Sequence, residues 1–272
     1  MKSIADTTDV KRARDKPPHA RWFRIALLAV FALPVAARAA LYAFEDRPRS
    51  FRDANWSSTG LLPPAATDPV ARILVFAARN GSWRSIFAVH TWIVVKPAGG
   101  GYTRYDVTAF GRPVRVNGFA PDAYWFSYRP EIVADIRGPL AAAAIPKITA
   151  AVSDYAYAKD GDYRLWPGPN SNTFVATVLR AVPELAVALP PTAIGKDFRA
   201  AGSIFGETPS RTGVELEIYG LVGLKAGWVE GVEVNLFTLV AGLDVRRPAI
   251  KLPGIGRVGV DSFDTTAAAR AP

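Results

Sequence analysis

From Ile25 to Ala37 every residue is apolar. Arg38 interrupts, and Ala39 to Phe44 is apolar again. Ile25 to Phe44 is 20 residues, which as a helix spans about 30 Å, one hydrocarbon core. The run has no polar face, so it predicts a membrane-spanning helix rather than an ordinary core helix. Pro34 would kink it, as membrane helices tolerate. Arg38, near the far end, is expected to snorkel to the headgroups. Glu45 to Pro69 then holds Pro48, Pro63, Pro64 and Pro69 among Ser and Asp. It reads as a tether.

From Val70 the pattern is globular. Ile86 to Val95 is rich in β-branched and aromatic residues and predicts a buried strand. Lys96 to Gly101 is a turn, and Tyr102 to Phe110 returns as the second strand of a hairpin. Tyr124–Tyr128 and Glu131–Ile136 are further strand candidates. Ile145, Ile148, Val152 and Tyr155 recur at helical spacing, with Pro146 suited to a first turn. Pro167-Gly168-Pro169 breaks the chain. Asn170-Ser171 then opens a helix with Phe174, Val175, Val178, Leu179 and Val182 on its apolar side, stopped by Pro183. Val214-Glu215-Leu216-Glu217-Ile218 alternates, so one face is buried and the glutamate face is expected to be solvated. Trp228 to Leu239 and Gly242 to Val245 add strands. The expected class is α+β: an antiparallel sheet packed on helices, with an additional C-terminal β region.

Charge fixes the orientation. Of a net +9, seven Lys or Arg against three Asp lie between Lys2 and Arg24. Lys11, Arg12, Arg14, Lys16, Arg21 and Arg24 crowd the N-terminal side of the apolar run. The positive-inside rule leaves that side in the cytoplasm and exports the rest. A cleaved signal peptide is the alternative, since Ala37-Arg38-Ala39 fits a cleavage site. The leader is long for a signal peptide, which favours an uncleaved anchor. No basic run follows, so nucleic acid is not an expected partner. The expected partners are the bilayer, through residues 25–44, and an envelope small molecule, lipid or peptide. With no cysteine and one histidine beyond the tail, neither a thiolate nucleophile nor a zinc site is expected, and no cofactor is implied. Gly254-Ile-Gly256-Arg-Val-Gly259 has dinucleotide-fingerprint spacing but no βαβ unit around it, and reads as a turn. Asp160-Gly161-Asp162 lacks the continuation of a calcium loop.

The candidate chemistry rests on His90 and Ser171. Ser171 stands at or beside the first residue of a helix. Unpaired N–H groups and the helix dipole there favour developing negative charge. The competing reading is an Asn or Ser cap, with His90 a structural strand histidine. A serine nucleophile would need His90 as general base and a third group to orient the imidazole. Asp106 has suitable chemistry, Tyr102 and Tyr105 lie nearer the turn, and Arg104 is a poor partner for a histidine that must accept a proton. Register alone cannot choose among them.

His90-Thr91-Trp92, a returning strand, and Asn170-Ser171-Asn172-Thr173-Phe174 at a helix start resemble circularly permuted papain-fold enzymes of the lecithin–retinol acyltransferase type, with Ser for Cys. The resemblance covers about residues 80–185. It implies a papain-like core over 70–190, extended by a β-rich 191–272. It also implies a site of Ser171, His90 and Asp106 or Tyr105, with Asn170, Asn172, Trp92 and Trp166 as binding residues. Pro-Gly-Pro-Asn-Ser-Asn-Thr-Phe also resembles a motif of an uncharacterised bacterial membrane-protein family, which implies an inner-membrane protein with a periplasmic domain. The expected function is a Ser/His hydrolase or acyltransferase on an envelope amide or ester. The alternative is a non-catalytic, papain-fold-derived binding or structural protein.

Overall fold

A computed structural model describes residues 18–199 and 203–259. Most of the basic tail therefore lies outside the described residues. Helix α1 (Pro18–Ala43) contains Pro34 and includes a stretch, Ile25–Ala43, long and apolar enough to cross a membrane. Its neighbours include the 3₁₀ turn at Ser82–Ile86 and part of the second sheet described below. Arg38 does not snorkel. It is buried against the globular part and paired with Glu45 at 2.7 Å.

The first sheet contains β1 (Arg72–Arg79), β2 (Val89–Lys96), β3 (Thr103–Val107), β4 (Val114–Val116) and β5 (Glu131–Arg137). Its order is β4-β3-β2-β1-β5, antiparallel throughout. Strands β1 and β2 are buried on both faces, which is why they read as near-continuous apolar runs. On one face Val75, Val89 and Ile93 pack with Ile148 of α2 (Pro139–Ser153) and with Phe174 and Val178 of α3 (Ser171–Arg180). On the other, Phe76, Trp92 and Val94 meet Trp125, Phe119, Phe126 and Trp56.

Trp56, Leu61 and Leu62 come from the segment expected to be a free tether. A sheet with two apolar faces needs two covers, and this segment supplies part of the second. The Asp122 carboxylate holds it down, accepting from the Ser58 hydroxyl at 2.6 Å and the Leu61 N–H at 2.7 Å. Tyr124–Tyr128 is a tight turn rather than a strand, with Phe126 and Ser127 at φ 50° and 67°. Helix α2 starts at Pro139, so Pro146 lies inside it.

The second sheet is a seven-stranded antiparallel meander in chain order. It runs through β6 (Phe205–Glu207), β7 (Gly213–Ile218), β8 (Val222–Gly227), β9 (Gly231–Leu236), β10 (Leu239–Asp244), β11 (Ala249–Leu252) and β12 (Gly256–Gly259). Helix α1 packs against β10 and β11. The expected alternation is present with its faces exchanged: Glu215 and Glu217 are 1% and 3% exposed, while Leu216 and Ile218 face outward. Across the strands Glu215 stands opposite Lys225, and Lys225 opposite Glu233. Lys196 and Asp197 enter from the preceding loop, with Lys196–Glu233 and Asp197–Lys225 both at 2.6 Å. Glu215, Lys225, Glu233, Lys196 and Asp197 thus each meet an opposite charge, the condition under which burial of charge is tolerated, whereas the Glu217 carboxyl accepts from the Asn235 amide. Of the Gly254–Gly259 stretch, read from sequence as a turn, Gly254 and Ile255 lie in the turn and Gly256–Gly259 is strand β12.

Candidate functional site

The Asn-Ser-Asn-Thr string forms the corner where α3 meets β2 and the 192–195 loop. Asn170 is the N-cap: its side-chain oxygen accepts from the N–H groups of Asn172 at 2.9 Å and Thr173 at 3.2 Å. The Thr173 hydroxyl accepts the Asn170 N–H at 3.1 Å, completing a capping box. The Asn170 amide also donates to Leu165 O and Ile194 O. Asn172 is a clamp. Its amide donates to Val89 O at 2.9 Å and Ile194 O at 2.7 Å, and its oxygen accepts from the Thr91 hydroxyl at 2.9 Å. Gly195, at φ +96°, permits the close approach. A Cβ there would lie 2.3 Å from the Asn170 amide.

Capping therefore falls to Asn170, and Ser171 is the first helical residue. The Trp166–Pro167 and Gly168–Pro169 peptides are cis. Arg164 N–H donates to Pro169 O at 2.8 Å, closing the loop that precedes the helix. That loop places Tyr163 and Ser171 on the wall of one cavity. Burial pushes the Tyr163 phenol up, with Ser171 and Arg84 pulling against it. The N–H groups of Asn172 and Thr173 in the first turn of α3 thus already have an acceptor in Asn170.

The structure does not bring Ser171 and His90 together. Thr91 faces α3, so the side chains of His90 and Trp92, one residue away on either side, point to the opposite face of the sheet. His90 is 2% exposed and stacks on Trp125 at 3.7 Å. Asp106 shares that face: its Oδ2 lies 3.6 Å from His90 Nε2, beyond hydrogen-bond range. Arg104 engages the same oxygen from Nε at 3.1 Å and Nη2 at 2.7 Å, and its guanidinium lies over the Trp92 ring. Burial holds the His90 imidazole below its ordinary pKa, partly offset by Asp106. Burial would raise the Asp106 carboxyl, yet His90 and Arg104 hold it below the usual range. Tyr105 lies on the helix face, away from Asp106. Of the residues proposed from sequence, His90, Asp106 and Trp92 form one buried cluster, whereas Asn170, Ser171, Asn172 and Trp166 belong to another.

That second group lines a cavity of about 280 Å³. Apolar walls come from Trp83, Phe87, Leu165, Trp166, Ile194 and Phe237, and polar contacts from Ser171, Asn80 and Arg84. Trp166 is fixed by donation of its ring N–H to the Thr238 hydroxyl at 2.9 Å. Among the described residues no carboxylate or imidazole lines the cavity, and Tyr163 is the phenol on its wall. Tyr163, Phe87 and Phe237 escaped sequence reasoning. Tyr163 is eight positions before Ser171, and only the folded Pro-Gly-Pro loop reveals their contact. A second cavity, of about 250 Å³, lies between the sheets and is lined by Arg79, Glu131, Asp244 and Arg247, among others. Arg79 is occupied there by Gly254 O and Ile255 O.

Residues 70–198, just under half of the chain, match the family model described as "Protein of unknown function (DUF3750)". The matched stretch holds the first sheet, α2, α3 and the Asn170–Thr173 corner. No curated protein and no solved structure matches the chain.

Proposed function

We propose that this protein is a membrane-anchored, non-catalytic binder of an amphiphilic cell-envelope molecule, held in the cavity at the N-terminus of α3. The observation that carries this reading is the cavity wall: aromatic and aliphatic surface, polar contacts at Ser171, Tyr163 and Arg84, and no carboxylate or imidazole among the described residues. Such a lining favours an apolar chain with a small polar head. A serine hydrolase needs a base beside the hydroxyl and free donors for an oxyanion. Here the imidazole is across the sheet, stacked on Trp125, and the Asn172 and Thr173 N–H groups at the start of α3 are engaged by Asn170. The order of His strand, return strand and motif helix supports descent from a permuted papain-like ancestor whose pairing was lost. The basic tail supports an inner-membrane anchor with the domain in the periplasm.

The test is a pair of measurements on the full chain. A fluorescent fatty acid is expected to bind, and Leu165→Asp in the cavity wall is expected to weaken binding several-fold. A fluorophosphonate probe is expected to leave Ser171 unlabelled. Labelling that disappears in Ser171→Ala would overturn the non-catalytic reading and restore the hydrolase.

A further inference from the structure

The second sheet is inside out for a water-soluble protein. From β7 to β12 its outward positions are Val214, Leu216, Ile218, Val222, Leu224, Ala226, Val232, Val234, Leu236, Leu239, Ala241, Leu243, Ile250, Leu252 and Val258, with Gly256. None carries a charge. They align across the strands, as in the row Val214–Ala226–Val232–Leu243–Ile250–Val258. The inward positions hold Glu215, Lys225, Glu233 and Lys251. Much of the apolar face is open, with Leu224 59% and Leu243 54% exposed. Water-soluble monomers rarely leave more than roughly a few hundred Å² of contiguous apolar surface uncovered.

We infer that the outward face of this meander is a lipid-facing surface, seated in the hydrocarbon of the same bilayer that α1 enters. Three observations select lipid over a protein partner. First, α1 packs against β10 and β11. Its other side, with Leu28, Leu33 and Leu41, is exposed, so helix and sheet present one continuous apolar surface. Second, exposed aromatic residues sit in turns at both ends of the strands. Tyr219 and Phe237 lie at one end and Trp228 at the other, with Arg246 and Arg247 in the neighbouring turn on the Trp228 side. This is the arrangement of residues that favour the headgroup boundary. Third, strands β7 to β10 are each 6 residues long. That is roughly 20 Å at the antiparallel rise, enough to enter a bilayer but short of its full core of about 30 Å. The sheet dips in without crossing. Its polar side is filled by its own ion pairs, and strands β7 to β11 are paired on both sides within the meander.

The chain has no cysteine, so single-cysteine variants can carry a nitroxide without further changes. The full chain is reconstituted in phosphatidylcholine–phosphatidylglycerol vesicles with labels at Leu224→Cys, Val232→Cys or Ile250→Cys. Leu33→Cys on the exposed side of α1 reports the anchor, and Lys147→Cys reports water. Collisions with oxygen and with a water-soluble nickel relaxant are compared by power saturation. At the three sheet positions the oxygen-to-nickel ratio is expected to be several-fold above that at Lys147→Cys and similar to that at Leu33→Cys. A water-like ratio on the sheet with a lipid-like ratio at Leu33→Cys overturns the inference and leaves the anchor intact. Water-like ratios at all positions overturn both. Low access to both relaxants, or spin–spin broadening between copies, places a protein on the face and overturns the inference as well.

Discussion

Asn170 and Asn172 hold their corner through several bonds each, whereas Ser171 between them lines the cavity. That division separates packing from any role in the cavity. Asn172→Ala strands Val89 O and the Thr91 hydroxyl in the core and is expected to cost about 2–3 kcal/mol. Asn170→Ala removes the cap and is expected to cost about 2 kcal/mol. Ser171→Ala should cost less than about 1 kcal/mol. Denaturant unfolding of the three variants checks the order, and a Ser171→Ala loss as large as that of Asn172→Ala would contradict it. On the opposite face, burial keeps the His90 pKa below its ordinary 6.5. As pH falls through about 6.5 the unfolded chain therefore takes up the proton first. The His90 contribution is complete above that pH and declines below it, toward the folded pKa. Thermal melts at pH 7.5 and 5.5 should show a larger drop for the native chain than for His90→Gln. An equal drop in both would remove His90 as the titrating group.

Strands and helices show which parts of the fold the sequence exposes. The runs at β2 and α3 are legible because local composition alone marks them: β-branched and aromatic density in one, a proline break and an apolar stripe in the other. The arrival of Ser171 at a helix start is legible for the same reason. Its separation from His90 is not, because the side-chain face depends on strand register, and a one-residue shift reverses it. The second sheet is the converse case. Val-Glu-Leu-Glu-Ile announces a two-faced strand, but alternation does not say which face is buried. That is decided by Lys225, Arg180 and Arg199, which meet Glu215, and by Asn235, which meets Glu217, only after folding. Gly223 belongs to this element too, since a Cβ there would lie 2.1 Å from the Glu217 carboxylate. Burial, and then the negative charge of Asp197, push the Glu217 carboxyl up to about 8. An acid raised in the folded state loses its contribution as pH rises from about 4.5 through the folded value. Glu217→Gln should therefore melt higher relative to the native chain at pH 8.5 than at pH 6, and a pH-independent difference would argue against a protonated Glu217. Lys225→Met, by contrast, leaves Asp197 and Glu215 without a common partner and should cost roughly 3–5 kcal/mol.

Across the whole molecule, neither the apolar helix nor the proline-rich segment is an appendage. Arg38 pairs with Glu45, and Tyr128 donates to the same carboxylate at 2.9 Å. This ties α1 to the turn that covers His90. Trp56, further along, meets Trp125 edge-on at 5.1 Å, and Trp125 in turn stacks on the imidazole. Anchor, second cover and first sheet therefore form one continuous packing. Trp56→Ala is expected to destabilise the first sheet by about 3 kcal/mol, a loss that a free tether could not produce. Calorimetry or denaturant unfolding reads it directly. The same continuity fixes how the second sheet sits relative to α1, because the helix packs against β10 and β11. Removing residues 1–43 would then do more than release a soluble domain. It would uncover the part of β10 and β11 now covered by the helix, enlarging an apolar face that is already open. Such a chain is expected to need detergent or to co-sediment with vesicles. A monodisperse monomer in plain buffer, with no vesicle binding, would mean that the exposed rows of valine and leucine tolerate water and that α1 alone holds the protein to the membrane.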